Sequence, residues 1–158
     1  MLLSNIITST ALLISLPGVS AYSTKKFECI PGRRVSAEEQ AINFSNFVQT
    51  LYIEKNVSRA FNEHALESYI QHNPLMTSGR QTTIDFLSSA FPGWNITVKH
   101  QAFQDDIGWI HWKLEGYGTA RYNAVVDVFR YEDGCIAEHW DAIQAAPGED
   151  RVNPLELI

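Results

Sequence analysis

Apolar residues recur at helical spacing in the first half of the chain and at alternate positions in the second. Phe44, Phe47, Val48, Leu51 and Tyr52 form one helical stripe. Ser36 precedes it with Glu39 three residues on, the pattern of a capping box, so the spacing predicts a helix over 37–54. Asn56 or Ser58 can cap a short second helix through Ala60 and Phe61. Pro74 pushes the backbone of Asn73 out of the helical region, so His72-Asn73 is expected where a helix gives way to a loop. Gly79 precedes a third helix over 80–90, with Ile84, Leu87 and Phe91 as its stripe and Pro92-Gly93 as its stop. Beyond Gly93 the period becomes two. Strands are predicted over 94–104, 107–115, 121–131 and 135–144, with Asp105-Asp106, residues 116–119 and Glu132-Asp133-Gly134 as turns. Helices followed by strands indicate an α+β domain: a curved, mainly antiparallel sheet packed against about three N-terminal helices.

The ends of the chain add a compartment. Residues 1–21 carry no Lys, Arg, Asp or Glu, and 6–16 is mostly apolar. Pro17-Gly18 and then Val19-Ser20-Ala21 give the breaker and small residues of a secretory signal cleaved after Ala21. The apolar run is too short to span a bilayer. The expected organisation is a signal over 1–21, an arm over 22–35, one domain over 36–146 and a tail over 147–158. Export fits three glycosylation sequons, at Asn43, Asn56 and Asn95. It also fits two cysteines, Cys29 and Cys135, which an oxidising compartment favours as one disulfide. The net charge of −6 argues against a nucleic-acid partner, and no polybasic run suggests stable membrane association.

Alternation also sorts the polar side chains that sit among apolar ones. Trp109, His111 and Lys113 share one face of 107–115; Ile110, Trp112 and Leu114 share the other. Asp127 lies inside the run Ala124-Val125-Val126-Asp127-Val128-Phe129, where an unpaired carboxylate is costly to bury. It is therefore a candidate acid or base, or else a structural partner to Arg130, Arg121 or a backbone amide. His111, one strand earlier, is expected to pair with it across the sheet and move protons. In Glu138-His139-Trp140-Asp141, alternation puts Glu138 and Trp140 on one face and His139 and Asp141 on the other. The five histidines lack His-x-His or His-x-x-x-His spacing, so no metal is expected. No nucleophile elbow, phosphate loop or dinucleotide fingerprint is present.

Tyr69-Ile70-Gln71-His72-Asn73-Pro74 followed by Gly79-Arg80 resembles a motif of the SnoaL-like family in the NTF2-like superfamily. Val126-Asp127-Val128-Phe129-Arg130 and the stretch from Asp133 through Gln144 resemble that family's C-terminal signature. The resemblance runs over 36–146 and implies a cone-shaped α+β fold, an NTF2-like cone, holding one small molecule. It implies cofactor-free chemistry next to a carbonyl: aldol-type cyclisation, dehydration or isomerisation. The alternative is a secreted module that binds an apolar ligand without turning it over. By resemblance Asp127 takes the acid/base position, His111 its partner, His72 the helix-side motif and Trp140 the final-strand wall. Asn73, Trp109, Phe129, Glu138 and Trp140 are the expected substrate-binding residues. The resemblance also implies a homodimer, packed through the sheet face that carries Trp112 and Leu114. The chain departs from the family pattern in its secretion signal, its sequons and Cys135, where relatives often carry Lys.

Overall fold

The computed structural model describes residues 27–148, 151–153 and 155–158. The expected signal over 1–21 lies outside them. Helix α1 (Ala37–Val48) begins as the capping box predicts, with the Ser36 hydroxyl accepting the Glu39 amide at 3.1 Å. The Glu39 side chain pairs with Arg33 instead of reaching back to the cap. The helix then widens into a π-helical turn, Gln49–Ile53. A wider turn shifts the faces of the helix, and both Leu51 and Tyr52 end up buried. Helix α2 (Val57–His64) is capped by Asn56, whose side chain accepts the Arg59 amide.

The chain departs from expectation after α2, which passes directly into a strand, β1 (Ala65–Gln71). His72-Asn73 therefore follows a strand, not a helix. The pairing of β1 is irregular between Ala65 and Ile70, and its burial does not alternate, so the sequence carries no period of two there. Helix α3 (Arg80–Ala90), β2 (Asn95–Gln104), β3 (Ile107–Glu115), β4 (Asn123–Glu132) and β5 (Cys135–Ala145) follow as predicted to within two residues, and a 3-10 turn (Phe91–Gly93) links α3 to β2.

The five strands form one curved, unclosed sheet in the order β1-β5-β4-β3-β2. All neighbours are antiparallel except β1 and β5, which are parallel. The helices cover one face. Phe44 and Phe47 of α1 and Phe61 of α2 pack on Ile110, Phe129 and Tyr131. Phe47 meets Phe129 edge-on at 5.1 Å and 74°, a favourable aromatic geometry. Gly108 lets Phe44 pack on the sheet, because a Cβ there would lie 2.5 Å from the Phe44 ring. Among the described residues no helix is long and apolar enough to cross a membrane.

A disulfide joins Cys29 to Cys135 across 106 positions of sequence and ties the arm to the first residue of β5. Beside it the Cys29 amide donates to the Glu63 carbonyl at 2.8 Å, and Phe27 stacks on His64 at 5.6 Å. The other side of His64 bonds the Asn43 side chain through Nδ1. Asn43 in turn donates to the Gly134 carbonyl at 2.5 Å and is only 1% exposed. The expectation of a glycan at Asn43 is therefore corrected: its amide nitrogen is spent inside the core, and the folded protein has no room for a sugar there. Asn56 and Asn95 are exposed.

Burial, and to a lesser extent Arg59, lowers the pKa of His64 from 6.5 to about 4. The unfolded chain thus takes up this proton at a higher pH than the folded one. The stabilisation is complete above pH 6.5 and is lost as pH falls to about 4. The loss amounts to ~3 kcal/mol. Urea unfolding at pH 7 and pH 4 should reveal it, and His64→Gln should flatten the difference. Equal pH slopes in both proteins would contradict it.

Candidate functional site

The sheet register decides which side chains reach the space beneath the helices. Asp127 on β4 is paired with Ile110 on β3 and with Asp141 on β5. Directly paired residues share a face. The face of Asp127 therefore carries Ile110, Trp112 and Leu114 from β3, and His139, Asp141 and Ile143 from β5. His111 pairs with Val126 on the opposite face, where it stacks on His100 at 5.9 Å. Trp109 pairs with Val128 there and is 38% exposed. The expected pairing of His111 with Asp127 does not form. Alternation separates the two faces of each strand, but only the register says which faces coincide. For the same reason Trp112 and Leu114 point inward and are not free to meet a second copy.

Three more expected residues lie on the outer face. The His72 ring stacks on Trp140 at 4.5 Å, and its Nε2 is 2.9 Å from Glu138. Glu138 also accepts from Arg130 at 2.8 and 2.5 Å. The His72 and Arg130 hydrogen bonds hold the Glu138 carboxyl below its usual range. His72, Glu138 and Trp140 thus form a surface cluster behind the sheet. Asn73 turns the other way. Its Oδ1 accepts the Leu75 amide, which fixes the turn, and its Nδ2 donates to Asp141 at 2.6 Å.

Between the helices and the sheet lies a cavity of about 90 Å³. A single water needs only ~10–15 Å³, so the space suits a small organic molecule. Its walls are mostly apolar and aromatic: Leu51, Phe61, Phe86, Leu87, Phe91, Trp94, Leu114, Phe129 and Ile143 among them. The polar groups converge at one end, where Tyr52, Tyr69, Gln71, Asn73, Trp112, Asp127, His139 and Asp141 line it. Of the expected residues, Asp127, Asn73 and Phe129 are here.

Asp127 is held from several sides. Its Oδ2 accepts from the Tyr52 hydroxyl at 2.5 Å and the Trp112 indole at 2.8 Å. Tyr52 sits on the π-helical turn that breaks the period of α1. The Oδ1 of Asp127 lies 3.3 Å from His139 Nε2. The orientation of the His139 ring follows from its neighbours. Gln71 Oε1 accepts the Asn73 backbone amide at 2.9 Å, which fixes the orientation of the Gln71 side chain. His139 Nδ1 meets the same oxygen at 3.0 Å and must donate to it. With Nδ1 turned to Gln71, Nε2 is the ring nitrogen that faces the Asp127 carboxylate. Burial, followed by the charge of Asp127, pushes the Tyr52 hydroxyl well above its ordinary range. Burial and the carboxylates of Asp127 and Asp141 do the same to Tyr69.

Asp127, His139 and Asp141 offer ligand atoms within 4.8 Å of one another and are the set available to a bound cation. His139 and Asp141 escaped selection although alternation puts them together on one face. Nothing in a single strand favours that face over the one holding Glu138 and Trp140. Tyr69 and Gln71 are legible only as members of the motif around His72. Tyr52 reads as part of a helical core stripe.

A family model described as a SnoaL-like domain matches residues 45–139, more than half of the chain. No curated protein shows significant sequence similarity to it. Among solved structures, TsrD from Streptomyces laurentii is 15% identical, covers 70% of this chain with 91% of its own, and has a TM-score of 0.54. A candidate isomerase of the SnoaL-like family from Agrobacterium tumefaciens is 16% identical over 67% of this chain and 98% of its own, with a TM-score of 0.54. An NTF-2 like protein of unknown function from Burkholderia xenovorans is 14% identical over 73% of this chain and 91% of its own, with a TM-score of 0.58. At these identities the likeness is one of fold.

Proposed function

The chain belongs to the SnoaL-like family, and from that premise we propose that its cavity carries out cofactor-free proton transfer next to a carbonyl group. The reaction class is aldol-type cyclisation, dehydration or isomerisation of a small apolar substrate. The observation that carries this reading is the buried Asp127–His139 pair, 3.3 Å apart, at the polar end of an aromatic cavity. Asp127 is the base that takes the proton from carbon. His139 holds the second position of the pair and returns the proton to carbon or to a leaving oxygen. Tyr52 and Trp112 occupy Oδ2, so Oδ1, on the side of His139, is the oxygen that takes the proton.

Charge that develops on the substrate oxygen needs a donor, and such donors contribute much of the rate in sites of this kind. Tyr69 fits. Its oxygen accepts from Gln71 at 3.3 Å, which leaves its own proton free to donate, and burial keeps that proton in place. Tyr69→Phe is expected to lower kcat roughly 100-fold with little change in KM. An unchanged kcat would remove Tyr69 from the role. The whole reading is tested by incubating apolar ketones with the protein and following them by NMR. Conversion supports an enzyme, and binding of ketones with no conversion of any supports a ligand-holding module, which the mostly apolar lining favours.

The same reading includes secretion, with glycans at Asn56 and Asn95, and a homodimer. With Trp112 and Leu114 inside the cavity, the surface left for a second copy is the outer face of β3, β4 and β5, where Trp109 is exposed.

A further inference from the structure

Asp127 and Asp141 are directly opposite each other on β4 and β5 and face the same cavity. Like charges in that position destabilise a sheet. The groups around them do not remove the conflict: Asp127 is served by Tyr52, Trp112 and His139, whereas Asp141 receives only the neutral Asn73 amide, on Oδ2. The Oδ1 of Asp141 has no donor among the described residues. His139 lies against Asp127, whereas no basic side chain among the described residues lies against Asp141, so Asp141 is the carboxylate of the polar end whose charge lacks a partner. No Lys or Arg is among the described residues lining the cavity. An anionic ligand would find no cationic partner there, and the chain's net charge of −6 opposes its approach as well.

We propose that the cavity recognises an organic cation, a protonated amine on an apolar or aromatic body, with Asp141 as its counter-ion. This deepens the proposed function and rests on the reading of the cavity as a ligand site. The aromatic rings of Trp112, Tyr52 and Tyr69 line the same end, and an ammonium is attracted to the faces of such rings. Its N–H donors supply the partner that the free oxygen of Asp141 lacks. A metal ion fits less well. Asp127 has two donors on one oxygen and faces His139 with the other, so Asp141 is the carboxylate of the cluster with an oxygen that meets no side chain among the described residues. Placed against Asp141, the ammonium sets the carbons next to it within reach of Asp127 and His139, whose ligand atoms lie within 4.8 Å of those of Asp141.

The test is calorimetric titration of the full-length protein at pH 7 with three probes of similar size: 2-phenylethylamine, 2-phenylethanol and phenylacetate. The amine is expected to bind roughly tenfold or more tightly than the alcohol, and phenylacetate not to bind. Asp141→Asn keeps the shape and can still accept from Asn73. It should bind the alcohol as before and lose the preference for the amine. Equal affinity for amine and alcohol in the unaltered protein overturns the charge assignment alone. So does a preference that survives Asp141→Asn. One equivalent of Zn²⁺ bound in place of the amine, and lost in Asp141→Asn, makes the cluster a metal site and overturns the proposal. Failure of all three probes to bind overturns the cavity as a ligand site, and with it the proposed function.

Discussion

Asp127→Asn is expected to lower turnover roughly 100-fold or more while leaving the fold and ligand binding largely intact. An amide cannot take a proton from carbon at neutral pH, but it can replace the carboxylate in the surrounding bonds. Its oxygen can accept from Tyr52 and Trp112, which now meet Oδ2 at 2.5 and 2.8 Å. Its nitrogen can donate to His139 Nε2, now 3.3 Å from Oδ1. The loss should therefore appear in rate and not in thermal midpoint. If the pair were only structural, the outcome would invert. His139, buried beside Asp127, would then lose a partner that holds it in the core, and the midpoint would fall. Rate, affinity and midpoint measured side by side distinguish the two. A variant as active and as stable as the parent would remove Asp127 from the site.

Loss of the Cys29–Cys135 bridge is expected to cost ~2–5 kcal/mol of stability. The bridge spans 106 positions and so restricts a large part of the unfolded chain. It also holds the arm against the core. Beside the bridge, the Cys29 amide bond to Glu63 and the Phe27 stack on His64 help to keep the arm in place. Cys135 is completely buried, so Cys135→Ala paired with Cys29→Ser avoids leaving a hydroxyl unsatisfied in the core. Urea unfolding of the oxidised protein and of this double variant measures the cost. An unchanged midpoint would contradict it. Intact mass with and without reductant checks the bridge itself.

Legibility in the sequence depends on the scale of the pattern. Ser36 and Glu39 announce α1 because a helix cap is read locally. The bounds of β3 are legible because turn residues flank it and apolar and polar residues alternate from Ile110 to Glu115. β1 is not, since its irregular pairing spoils the period and its partner, β5, lies about 70 residues later. The site fails at the same scale. Alternation places His111 and His139 each on a definite face of its own strand. Whether that face meets Asp127 is a matter of parity between strands, and the register chooses His139. The sequon at Asn43 misleads for another reason: a three-residue motif says nothing about burial, and this asparagine ties α1 to the β4–β5 turn. Polar residues that serve the cavity, such as Gln71 and Tyr52, gain their meaning from partners far away in sequence.

If Asp127, with His139, exchanges a proton with carbon, deuterium from solvent should enter a bound ketone even where its eventual product is unidentified. An apolar ketone that binds both proteins equally is incubated in D₂O with the parent and with Asp127→Asn, and the hydrogens next to its carbonyl are followed by NMR. Protein-dependent exchange is expected with the parent, and exchange slowed roughly 100-fold or more with the variant. Exchange at the same rate with both proteins, or none with either, would contradict the assignment of Asp127 as the base.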